Sequence, residues 1–175
     1  MYTLEEVRNN CNNKKYVEEA IQEDGLLLEG ASETLRDDKN LVMKAVEKDG
    51  GALEFASNRL KADRDVVMKA LETKGWVICY VSERIRADRE LMIKAAQKDG
   101  QILYFASQEL RDDDELVMTA VKNKGLIIKY ASKRLRADKN IAIEAIKQDK
   151  RAYDFIMPQL REDTDIQNII NPPTN

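Results

Sequence analysis

A ladder of carboxylates is the first feature of this sequence that could do chemistry. Asp38, Asp63, Asp88, Asp113, Asp138 and Asp163 stand 25 residues apart. Paired carboxylates can act as general acid and base, and clustered ones can hold calcium. Each of these residues, however, stands where a helix is expected to begin. There an Asp side chain accepts from the free N–H groups of the first turn, and capping accounts for the whole column. A calcium site needs a denser acidic loop than the repeat contains. The chain has no His, so the commonest general base and metal ligand is missing. Its glycines fall one per repeat rather than in a phosphate-cradling loop. We therefore expect no catalytic residues, no metal, no cofactor and no enzymatic activity.

A basic column precedes the acidic one: Arg36, Lys61, Arg86, Arg111, Arg136 and Arg161. It could pair with the Asp column across neighbouring copies, or cover the apolar edge with its aliphatic stems. A phosphate-binding stripe is the functional alternative, and the adjacent Asp residues would largely cancel it. The two cysteines, Cys11 and Cys79, provide neither a disulfide framework nor a zinc motif. With no apolar run long enough to span a bilayer and no N-terminal signal, an intracellular, cytoplasmic protein is expected. The net charge of -3 argues against a nucleic-acid partner.

The elements that carry these columns follow from the repeat itself. Further columns run through Ala20 to Ala145, through Gly25 to Gly125, through Ser32 to Ser132, and through Phe55, Tyr80, Phe105, Tyr130 and Phe155. After each Asp, a run such as residues 41–49 places apolar side chains on most of a helix circumference, which predicts a well-buried helix. The Gly that follows is expected in a left-handed conformation that ends it. A second helix is predicted over residues 51–60 and its equivalents. Helices of about ten residues are marginal alone, so each hairpin must use its neighbours as walls. The fold class expected is all-α, a solenoid of stacked short helical hairpins forming one domain over 1–175. Its N-terminal capping copy would cover 1–37, its regular copies 38–138, and its degenerate C-terminal copy and cap 139–175. Pro158 should disturb the last copy, and Pro172-Pro173 should stop the chain's final helix. Met43, Met68, Met92 and Met118 are expected to fill the core.

These columns resemble the repeats of the helical-repeat family catalogued as domain of unknown function 4116. The pattern is Asp, an apolar run ending in Ala-Val, Gly, an apolar-aromatic-Ala-Ser segment, Leu-Arg and Asp. It is read here in Asp63, Val66, Val67, Ala70, Leu71, Gly75, Tyr80, Ser82, Arg86 and Asp88, and across residues 13–165. Val81 and Ile156-Met157 depart from the usual Ala-Ser. The resemblance implies an architecture and no chemistry, with slight support for a binding role.

Packing positions are constrained by their neighbours, whereas positions that face a partner are not. The outward triad of the second helix changes from copy to copy: Gly51, Glu54, Asn58; then Trp76, Cys79, Glu83; then Gln101, Tyr104, Gln108; then Leu126, Lys129, Lys133. Trp76, Cys79, Gln101, Tyr104, Leu126 and Lys129 are the candidate partner-binding residues. Aromatic anchors among mixed polar groups typify protein interfaces. The reading is a protein-interaction scaffold that binds another protein or an extended peptide. Modular single-stranded RNA binding and a purely structural spacer are the alternatives.

Overall fold

A computed structural model describes residues 1–172 of the chain; Pro173, named above as part of a stop signal, lies outside them. The described residues form α-helices and 3₁₀ helices, an all-α repeat fold. They pack into two compact units, Met1–Ile85 and Arg86–Asn175.

The Asp residues begin ten-residue helices at Lys39–Lys48, Arg64–Thr73, Arg89–Lys98, Asp114–Asn123 and Lys139–Gln148. Asp38 accepts from the Leu41 N–H at 3.1 Å, Asp113 from Leu116 at 2.8 Å and Asp138 from Ile141 at 3.0 Å. Asn13 does the same for Lys14–Glu23, through the Tyr16 N–H. Thr3 and Glu6 complete a capping box on the first helix, Leu4–Asn9.

The Gly residues have a different role from the one expected. No described residue has a positive φ. The helix is ended one position earlier, by an extended residue such as Asp49 at φ -146° and ψ 113°, whose N–H returns to the Ala45 carbonyl. Gly is required for approach. A Cβ at Gly25 would fall 2.4 Å from the Ala45 carbonyl oxygen, and one at Gly50 would fall 2.3 Å from that of Ala70. In the second unit the corresponding distances are 2.4 Å for Gly100 with Ala120 and 2.1 Å for Gly125 with Ala145. The Gly and Ala columns are thus two sides of one contact between consecutive copies. Gly30 answers to a different neighbour: a Cβ there would lie 2.8 Å from Val7 Cγ1. The N-terminal helix occupies that place, so the first copy has no aromatic residue at that position.

The expected second helix is not an α-helix. It is a six-residue 3₁₀ helix at Gly25–Gly30, Gly50–Phe55, Gly75–Tyr80, Gly100–Phe105 and Gly125–Tyr130, with a shorter counterpart at Lys150–Asp154. Three residues per turn bring positions i and i+3 onto one face. That puts 101 with 104 and 126 with 129, while residues such as Asn58 and Gln108 fall past the break. A short element follows, and it alternates. It is α at Glu33–Arg36, Glu83–Arg86 and Lys133–Arg136, and 3₁₀ at Leu60–Ala62, Leu110–Asp112 and Pro158–Leu160.

In the first unit, Lys14–Glu23, Lys39–Lys48 and Arg64–Thr73 pack in sequence, and their 3₁₀ helices pack in a second row. Ile21, Leu28, Leu41, Leu53 and Leu60 are completely buried between the rows. Burial of each such side chain contributes roughly 1.5–3 kcal/mol. The second unit repeats the arrangement, with Leu91, Leu103, Leu116 and Ile128 inside. Met92 shares the inner column of Val67 and Val117 and is fully buried. Met43, Met68 and Met118 are only half-buried, because they stand one residue further round the helix.

A backbone bond ties each copy to the one before it, always 21 residues back. In the first unit the Ser32, Ser57 and Ser82 N–H groups donate to the Cys11, Arg36 and Lys61 carbonyls. In the second, Ser107, Ser132 and Met157 donate to Arg86, Arg111 and Arg136.

Ion pairs also cross between copies. In one recurring set the cation is the first residue of one helix, and the acid is the cap of the next. Lys39 meets Asp63 at 2.8 Å, Arg89 meets Asp113 at 2.7 Å and Lys139 meets Asp163 at 2.9 Å. The Arg column turns instead toward carbonyls and rings. Arg111 Nη2 donates to the Tyr104 carbonyl at 2.8 Å, and Arg86 lies 5.9 Å from the Phe105 ring centre.

Burial acts to raise the Asp113 carboxyl, but Arg89 and the Leu116 N–H outweigh it and hold it below the usual carboxylate range. A lowered folded pKa supplies stability above the unfolded value, about 3.9, and that stability is lost as pH falls through the folded pKa. Asp113→Asn keeps the capping acceptor and loses only the charge pair, so it should cost at most about 1 kcal/mol. Asp113→Ala loses the cap as well and should cost about 1–2 kcal/mol. Urea unfolding at pH 7 and pH 3 checks both. The gap between wild type and Asp113→Asn is expected to narrow at the lower pH.

Candidate functional site

In the second unit, two neighbouring 3₁₀ helices enclose a surface groove. Gly100–Phe105 supplies Gln101, Tyr104 and Phe105, and Gly125–Tyr130 supplies Leu126, Ile127, Lys129 and Tyr130. Lys124, the residue just before the second of these, closes one side. The volume is about 360 Å³, within the range of pockets that hold small ligands or single side chains.

The lining follows from the i, i+3 geometry. Gln101 and Tyr104 are exposed, while Ile102 and Leu103 between them are buried and anchor the element. In the second helix Lys129 is exposed and Leu126 half-buried, flanking buried Ile127 and Ile128. Tyr104 remains 51% exposed despite two ring contacts. It meets Phe105 edge-on at 4.9 Å and Tyr130 at 5.0 Å. The Lys129 ammonium stands 4.8 Å from the centre of the Tyr130 ring. Arg111 fixes the backbone beneath by donating to the Tyr104 and Ala106 carbonyls. The result is an aromatic and aliphatic floor with two lysines and one amide at its rim. It can hold an apolar side chain and meet negative charge.

Four of the six candidate residues, Gln101, Tyr104, Leu126 and Lys129, therefore come together in this groove. Trp76 and Cys79 belong to the first unit. Trp76 is 43% exposed and stands edge-on to Tyr80 at 5.7 Å. Lys74 lies 5.7 Å from the Trp76 ring centre and pairs with Asp49 at 2.7 Å. Burial and a hydrogen bond with Glu54 push the Tyr80 hydroxyl pKa up. Cys79 is half-buried beside them. Gly51, expected to be exposed, is buried, because Trp76 lies across it.

Lys124, Phe105, Ile127 and Tyr130 were not among the sequence candidates. The signal for Lys124 is its column, Asp24, Asp49, Lys74, Asp99, Lys124 and Asp149, where a cation replaces the usual acid. Among the described residues no three His, Cys, Asp or Glu side chains come close enough to hold a metal ion. No helix there is long and apolar enough to cross a membrane.

Copies joined by a fixed backbone bond, each burying its neighbour's apolar face, define an α-helical repeat protein. The model of the family described as "Domain of unknown function (DUF4116)" matches residues 13–61, 63–111 and 113–161. The chain belongs to that family. Each match begins 50 residues after the last, so the family's unit is a pair of the 25-residue copies, in step with the alternating turns. No curated protein and no solved structure matches the chain.

Proposed function

We propose that the protein is a non-catalytic interaction module whose second unit binds an extended segment of a partner protein in the groove around Tyr104. One observation carries the reading. Four positions that vary between copies, Gln101, Tyr104, Leu126 and Lys129, meet in one open, aromatic-floored groove. Exposed aromatic residues in such settings carry a disproportionate share of binding energy.

The test is a displayed random-dodecapeptide library selected on the full chain. Selected peptides are expected to lose at least tenfold in affinity on Tyr104→Ala, while the thermal melt stays within about 0.5 kcal/mol of wild type, as for a surface substitution. If no peptide is enriched, or if Tyr104→Ala binds as well, the groove is not a peptide site.

The same lining supports a second reading, single-stranded RNA. Tyr104 and Tyr130 offer ring faces for bases, and the lysines offer charge. A gel shift with oligouridine at low salt distinguishes it, since binding of this kind weakens steeply with salt.

A further inference from the structure

We propose that the groove selects an acidic segment, one or two carboxylates flanking a large apolar side chain. This rests on the peptide-binding reading above and names the partner's chemistry.

The argument is a comparison of one place in the scaffold, met once in each unit. Fifty residues before the groove, the first unit has Gly51 for Gln101, Glu54 for Tyr104, Lys74 for Lys124, Trp76 for Leu126 and Cys79 for Lys129. There the chain satisfies itself. Lys74 is neutralised by Asp49 at 2.7 Å, Glu54 is hydrogen-bonded to Tyr80, and the Trp76 ring covers Gly51.

In the second unit Glu54 and Trp76 are replaced, and the counterpart of Lys74 is left without its ion pair. Tyr104 has replaced the acid Glu54, and Lys129 has added a cation. The local charge therefore moves by two units toward positive. Asp99, the counterpart of Asp49, caps the Gln101 N–H at 2.9 Å as Asp49 caps that of Gly51 at 2.7 Å, but among the described residues it makes no ion pair with Lys124. Among the described residues, the Lys124 and Lys129 ammonium groups form no ion pair and no hydrogen bond, although both side chains line the groove. Leu126 leaves uncovered the floor that an indole covers in the first unit. What the first unit supplies from within, the second leaves for a partner: negative charge at the rim and an apolar group at the centre.

The surroundings agree. Residues 122–136 contain six Lys and Arg and no Asp or Glu, in a chain of net charge -3. Arg134, at the far end of that run, is committed to Asp112 and Asp114 at 3.0 and 2.9 Å. Of the six, Lys124 and Lys129 line the groove. A polynucleotide would need a longer basic track to neutralise successive phosphates; a short acidic peptide would not.

The same dodecapeptide selection tests this, run in parallel on wild type and on Lys124→Glu/Lys129→Glu. Both lysines are exposed and rimward, so the variant is expected to fold; its thermal melt confirms that. Peptides from wild type should be rich in Asp and Glu around one Phe, Tyr, Trp or Leu. Their affinity should fall at least about tenfold on the double variant, the scale of a close interfacial charge pair. Replacing the peptide's acids with Lys should restore binding to the variant. Peptides enriched without an acidic surplus, or bound equally by both proteins, would overturn the charge assignment while leaving the groove a peptide site. No enrichment on either protein removes both readings, and tight oligouridine binding at the groove replaces them with RNA recognition.

Discussion

Gly125→Ala is expected to destabilise the protein by about 2 kcal/mol, although alanine is the better residue on intrinsic grounds. Gly125 has an ordinary, non-positive φ. Alanine there would restrict the unfolded chain and gain about 0.4–1 kcal/mol if the space were free. The space is not free. The added carbon would fall 2.1 Å from the Ala145 carbonyl oxygen and 3.0 Å from the Asp149 N. Both are backbone atoms in or next to a packed helix, so relief requires the two copies to separate. Overpacking of this kind typically costs about 1–3 kcal/mol, and it outweighs the entropic gain. Gly51→Ala is the control. Its nearest neighbours are side-chain atoms, Asp49 Oδ1 at 3.0 Å and Leu26 Cδ2 at 3.3 Å, so its effect should stay within about 1 kcal/mol. Urea midpoints of the two variants decide the matter. A Gly125→Ala protein as stable as wild type would falsify the close-approach explanation of the glycine column.

Leu103→Ala should cost more, about 3 kcal/mol, while Tyr104→Ala beside it costs almost nothing. Leu103 is completely buried, and Tyr104 is 51% exposed. The 3₁₀ helix that holds both sends one inward and the other into the groove. Leu-to-Ala changes in cores cost about 2–5 kcal/mol, from lost transfer energy and the cavity left behind. A domain of ordinary stability, about 5–15 kcal/mol, survives this but unfolds at clearly lower denaturant. The pair of neighbours thus separates the two duties of the element. If Tyr104→Ala were the more damaging to stability, the ring would be a packing residue, and its place in a binding site would fall.

What could be read from the sequence was what is decided locally. The Asp caps were legible because the bond runs from a side chain to an N–H two or three residues on. The ten-residue helices were legible because their apolar runs close almost a full circle. The second element was misread as α because spacings of three and four within six to ten residues cannot separate two helical pitches. The glycines were misread because a sequence shows that a Cβ is absent but not which neighbour excludes it. The Arg column was read as a partner of the Asp ladder or a cover for the apolar edge because the two columns are adjacent in the chain; the cations that meet the caps of the next copy include Lys39, Arg89 and Lys139. Tyr104, Gln101, Leu126 and Lys129 were found through their variability, which packing does not constrain. Lys124 was missed because it sits in a capping column, where its change of sign passed as noise. The alternation was visible as well: Phe55, Tyr80, Phe105, Tyr130 and Phe155 alternate in kind, as do Asp49, Lys74, Asp99, Lys124 and Asp149.

The alternating turns limit how such a chain can change length. The α turn at Lys133–Arg136 leads into the helix that Asp138 opens, and the 3₁₀ turn at Leu110–Asp112 leads into the one that Asp113 opens. Excising a single copy would splice a turn of one kind onto a helix made for the other. Excising two would leave every splice as it is now. Removal of two adjacent copies is therefore expected to disturb the fold less than removal of one, and urea unfolding of the two shortened chains checks it.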